Sequence, residues 1–75
     1  MTKDEFKTWH KSMGFTQEMA GIALGLGRSS IVQYEQGYRR DANKTTVGIP
    51  LTVALACAAL SAGLAPYPTT SSFDI

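Results

Sequence analysis

The chain has 75 residues, a formal net charge of +1, one cysteine and one histidine. That length makes one small domain with a thin core, roughly a few kcal/mol of net stability, which commonly leans on a staple or a partner. Cys57 has no second cysteine to pair with, and with His10 it is too few ligands for an ordinary structural zinc site. These features point to a reducing, cytoplasmic setting with no metal or other cofactor.

The first predicted helix covers residues 3–13. Thr2 and Glu5 have capping-box spacing, and Asp4 and Glu5 suit the positive end of the helix dipole. Phe6, Trp9 and Met13 fall on one face as core, and Gly14 is a natural stop. This charged, amphipathic start lacks the apolar stretch of a signal peptide.

Residues 16–37 carry the main signal. Thr16 is a good N-cap for a second helix over 17–24, with Met19, Ala20, Ala23 and Leu24 as its expected buried face. Gly25 ends that helix in a left-handed conformation, and Leu26 is expected to plug the turn. Gly27 is a weaker cap than serine or threonine for a third helix over 28–36. Ile31, Tyr34 and Glu35 are expected inside, with Arg28, Ser29, Val32 and Gln33 outside. Gly37 closes the segment. A short helix, a glycine turn and a second short helix form the layout of a DNA-binding helix-turn-helix, whose second helix enters the major groove. Lys3, Lys7 and Lys11 form a stripe that reads as a solvated face in preference to one beside the DNA backbone.

Residues 38–49 read as a polar loop. Pro50 fits the first turn of a fourth helix over 50–61, which contains no charge and stops before Gly63. A helix apolar on nearly all sides needs burial on nearly all sides. A second copy of the chain is the simplest cover for the outer face, with Leu51, Leu55, Ala58 and Ala59 as the expected dimer interface. The apolar run from Val47 to Leu64 contains Pro50, Thr52 and Ser61 and falls short of the roughly 20 apolar residues that span a bilayer, so no membrane segment is expected. The folded domain is placed at 1–64. The Pro-, Thr- and Ser-rich tail, 65–75, is expected to be loose. All seven basic residues lie at or before Lys44, in the part expected to meet DNA.

Thr16-Gln17, Ala20, Leu24-Gly25-Leu26, Ser30-Ile31 and Tyr34-Glu35-Gln36-Gly37 resemble, without a gap, the signature of the phage-repressor and Cro-like helix-turn-helix family, the XRE class. The resemblance implies an all-α, compact, four- to five-helix lambda-repressor-like domain. It also implies base-reading roles for Arg28, Ser29, Val32 and Gln33. Arginine can pair with guanine O6 and N7, and glutamine with adenine N6 and N7, each worth roughly 1–3 kcal/mol of discrimination. Thr16, Gln17, Ser30, Tyr38, Arg39, Arg40 and Lys44 take phosphate-binding roles by the same resemblance. His10 stands where many members carry an arginine paired with the glutamate that Glu35 matches, so the pair would brace the first helix against the third. The chain departs from the family at Ala20 and Gly21, where Leu and Ala are usual. Gly27 replaces a Ser or Thr cap, Val32 and Tyr34 replace Ser and Trp, and one clear helix follows the motif where five-helix members have two.

The expected function is a homodimeric, sequence-specific repressor of double-stranded DNA. It would read an inverted repeat whose half-sites lie about 34 Å apart or a multiple of that. The small size and the apolar fourth helix resemble short autoregulators of phages and mobile elements, among them anti-CRISPR-associated autorepressors. Two alternatives stay open: an antitoxin-type autoregulator with a toxin partner, and a protein-interaction module on the same fold. No small-molecule site is evident. His10 and Cys57 fall on different predicted helices, and there is no carboxylate cluster, P-loop or dinucleotide fingerprint, so catalysis is not expected.

Overall fold

A computed structural model describes residues 1–39, 43 and 45–67. Its helices are α1 (Lys3–Ser12), α2 (Gln17–Leu24), α3 (Arg28–Gln36) and α4 (Leu51–Ser61). The domain is all-α, and the described residues form no strand beyond one isolated bridge.

Local chemistry accounts for the helix ends. The Glu5 amide donates to Thr2 Oγ1 at 3.1 Å, and the Thr2 amide donates back to Glu5 Oε1 at 2.7 Å. Hydrogen bonding from the Thr2 amide, and then from the Thr2 hydroxyl, holds the Glu5 carboxyl below the usual carboxylate range, because it favours the ionised form. Thr16 Oγ1 accepts from the Met19 amide at 3.1 Å and starts α2. Gly25 and Gly37 end α2 and α3 at φ +72° and +83°, a region costly for residues with a Cβ.

Helix α1 stops one residue before the expected end, with Met13 as its C-cap. Pro50 is the N-cap of α4, not part of its first turn, and its carbonyl accepts from Val53 at 3.0 Å and Ala54 at 3.2 Å. The face of α2 also differs from expectation. Ala20 and Gly21 are buried and Leu24 packs on the core, whereas Met19 and Ala23 are exposed. The reason lies at Gly21. A Cβ there would sit 2.7 Å from the Leu26 carbonyl oxygen, so only a glycine lets the turn fold back this closely. The Leu26 amide closes the turn onto the Gly21 carbonyl at 2.8 Å.

The core is Phe6, Trp9, Ala20, Ile31, Val53 and Cys57, with Leu26 and Tyr34 packed at its edge. Phe6 meets Tyr34 edge-on at 5.7 Å, and Trp9 meets Phe15 likewise, geometries that aromatic rings favour. Trp9 Nε1 donates to the Cys57 carbonyl and to Ser61 Oγ, both at 3.1 Å, which ties α1 to α4. On α4, Val53 and Cys57 face inward, while Leu51 (74%), Leu55 (61%) and Ala58 are exposed and Ala59 is half-buried. No helix among the described residues is long and apolar enough to cross a membrane.

Between α3 and α4 the chain doubles back. Tyr38 and Thr46 form an antiparallel bridge, Arg39 N–H donates to Thr45 O at 2.8 Å, and Val47 N–H donates to Gly37 O at 3.0 Å. This paired stem was not expected of a polar loop. The run Thr45-Thr46-Val47, β-branched and following Asn43, is the signal that could have shown it.

Candidate nucleic-acid interface

The three-residue turn at 25–27 sets α3 against α2 with one side of α3 left to solvent. Ile31 is fully buried and Glu35 nearly so, which fixes the rotation of α3. The residues between them in the helical period then face outward. Arg28 and Ser29 are exposed, and Val32 and Gln33 are half-buried. All four line one open depression of about 600 Å³ together with Gln17 and Gln36. The four residues assigned to base reading are therefore brought to a single surface.

Beneath that surface runs a chain of polar contacts. Arg28 Nη2 lies 3.5 Å from Gln17 Oε1, at the long limit for a hydrogen bond. Gln17 Nε2 donates to Glu35 Oε2 at 2.8 Å. Glu35 Oε1 accepts from His10 Nε2 at 2.8 Å, and His10 Nδ1 lies 3.0 Å from the Phe15 carbonyl oxygen. A carbonyl and a carboxylate only accept, so the ring makes both bonds when both its nitrogens carry hydrogen. His10 and Glu35 are buried, and theirs is the ion-pair contact among the described residues. The result is a connection from the core edge of α1, across α3, to the first exposed side chain of α3.

The residues assigned to phosphate binding are spread over this face. Thr16 is exposed at the start of α2, its oxygen engaged in the cap bond. Gln17 is half-buried and lines the depression. Ser30 is half-buried and outside the depression, with its amide bonded to the Gly27 carbonyl at 3.1 Å. Tyr38 and Arg39 are exposed on the paired stem that follows α3. Arg40 and Lys44 lie outside the described residues, as does the tail from 68 onward.

Two features were not assigned from sequence. Gln36, at the last position of α3, lines the depression, and its Oε1 is buried without a hydrogen-bond partner among the described residues. A second cleft of about 400 Å³ adjoins the first. It is lined by Lys3, Lys7, Glu35 and Tyr38, and it shares Gln17, Val32 and Gln36 with its neighbour. Lys11, the third member of the lysine stripe, does not line it.

Compared with protein-family models, curated protein sequences and solved structures, the chain matches none.

Proposed function

We propose that this chain is a sequence-specific, DNA-binding transcriptional repressor that works as a homodimer. Helix α2, its glycine turn and α3 act as a helix-turn-helix, with α3 entering the major groove. The observation that carries this role is the gathering of Arg28, Ser29, Val32 and Gln33 on one outward depression that Gln17 also lines. Arginine and glutamine there match the donor and acceptor patterns of guanine and adenine, and Val32 suits a thymine methyl. Arg39 on the stem beyond α3 takes a neighbouring phosphate.

The exposed stripe Leu51, Leu55 and Ala58 pairs with the same stripe of a second copy. A two-fold pair presents two α3 helices to successive major grooves, so the operator is an inverted repeat. Repression follows from occupying a promoter, most simply that of the protein's own operon.

Substitution separates reading from holding. Arg28→Ala or Gln33→Ala should change which base is preferred at one operator position, by roughly 1–3 kcal/mol. Arg39→Ala should weaken binding to all sequences alike and flatten its salt dependence. If Arg28→Ala and Gln33→Ala leave the base preferences unchanged, α3 is not the reading element.

A further inference from the structure

We propose that the cleft between α1 and the end of α3 is a phosphate seat, in which Lys3 and Lys7 hold a backbone phosphate of the bound duplex. The seat presupposes the duplex-binding role proposed above.

Three observations support it. First, the cleft is continuous with the depression that carries Arg28, through the shared Gln17, Val32 and Gln36. A duplex lying along α3 therefore passes over both. Second, Lys3 is laid in place by the fold. A Cβ on Gly37 would lie 3.3 Å from Lys3 Cδ, so the lysine stem runs against the bare backbone at the end of α3. Lys7, one turn further along α1, joins the same wall. Third, the acid at the cleft is already engaged. Glu35 Oε1 faces His10 and Glu35 Oε2 accepts from Gln17, each at 2.8 Å. Neither lysine makes an ion pair among the described residues, and Lys3 is exposed and Lys7 half-buried in the wall of the cleft. A phosphate taken by both lysines balances their charge, and each neutralised phosphate releases a condensed counterion.

The lysine stripe of α1 is thus divided. Lys3 and Lys7 are duplex contacts, and Lys11 is an ordinary solvated residue.

The test is fluorescence anisotropy with a labelled duplex of arbitrary sequence over a salt series. Phosphate contacts act on any sequence, so the operator need not be known. The proteins are wild type, Lys3→Gln/Lys7→Gln, Lys3→Arg/Lys7→Arg and Lys11→Gln. The slope of log affinity against log salt should become shallower by about one per protomer in the double glutamine variant, one seated phosphate being lost from each. The double arginine variant should keep the wild-type slope, and so should Lys11→Gln. An unchanged slope in the double glutamine variant overturns the seat and leaves duplex binding standing. Equal loss per charge in Lys11→Gln also overturns it, because a diffuse field would then suffice. If wild type shows no salt-dependent duplex binding at all, the DNA-binding role fails and the seat fails with it.

Discussion

His10 Nε2 lies 2.8 Å from Glu35 Oε1, and this contact bonds the last turn of α1 to the inner face of α3. Glu35 uses its other oxygen to hold Gln17 at the start of α2. One buried carboxylate therefore fixes three helices relative to one another, and with them the outward side of α3.

Glu35→Ala removes both acceptors and leaves the His10 and Gln17 donors without partners. Hydrogen bonds to a charged group contribute about 1.5–3 kcal/mol each, so the expected loss is at least about 3 kcal/mol. Glu35→Gln keeps one acceptor oxygen and should lose about half as much. Urea unfolding followed by circular dichroism measures both. Equal stability of wild type and Glu35→Ala would contradict the bracing role.

Gly21→Ala sets two effects against each other. Alanine favours a helix over glycine by about 1 kcal/mol. Its Cβ would sit 2.7 Å from the Leu26 carbonyl oxygen, a backbone atom that cannot swing aside. Overpacking of this kind costs about 1–3 kcal/mol, so the net expectation is a loss of about 1 kcal/mol. A rise in melting temperature would show that the turn is looser than described.

Burial pushes the Cys57 thiol up, because the thiolate would have to form beside apolar neighbours. The folded state thus holds the thiol proton more tightly than the unfolded chain. The associated stability is full below the ordinary thiol range and is lost as pH rises through the raised value. Wild type should lose stability on the alkaline side more steeply than Cys57→Ala, although the variant is less stable at neutral pH. Parallel curves in urea titrations across alkaline pH would contradict this.

Leu51→Glu/Leu55→Glu places charges on the exposed stripe of α4 without touching Val53 or Cys57. Glu at position 51 also suits the start of the helix. The variant should remain helical and, if the proposed pairing holds, sediment as a monomer at concentrations where wild type dimerises. A wild type that is monomeric at every concentration would contradict the proposed pairing through α4.

The start of α1 and both ends of α2 and α3 were legible in the sequence because they are local. Thr2 with Glu5, Thr16, Gly25 and Gly37 act within a few residues of themselves. Facing was legible only where polar and apolar residues alternate clearly, as on α1 and α3. On α2, with Met19, Ala20, Ile22, Ala23 and Leu24 spread around the helix, periodicity could not choose a side. The close approach of Gly21 to Leu26 made the choice and turned Met19 and Ala23 outward. The bonds from Trp9 to Cys57 O and Ser61 span about fifty residues and left no sequence pattern. The depression itself follows from inward Ile31 and Glu35, so its four outer residues could be named in advance. The lysine cleft could not, because it depends on how α1 crosses the end of α3.

Binding selection from a random duplex library tests the central claim most directly. Bound fragments are sequenced, and the enriched duplex is retested at two salt concentrations. The expected result is an inverted repeat with half-sites one helical turn apart, or a multiple, and affinity that falls steeply with salt. No enriched sequence, with weak binding indifferent to salt, would contradict a DNA-reading role for α3.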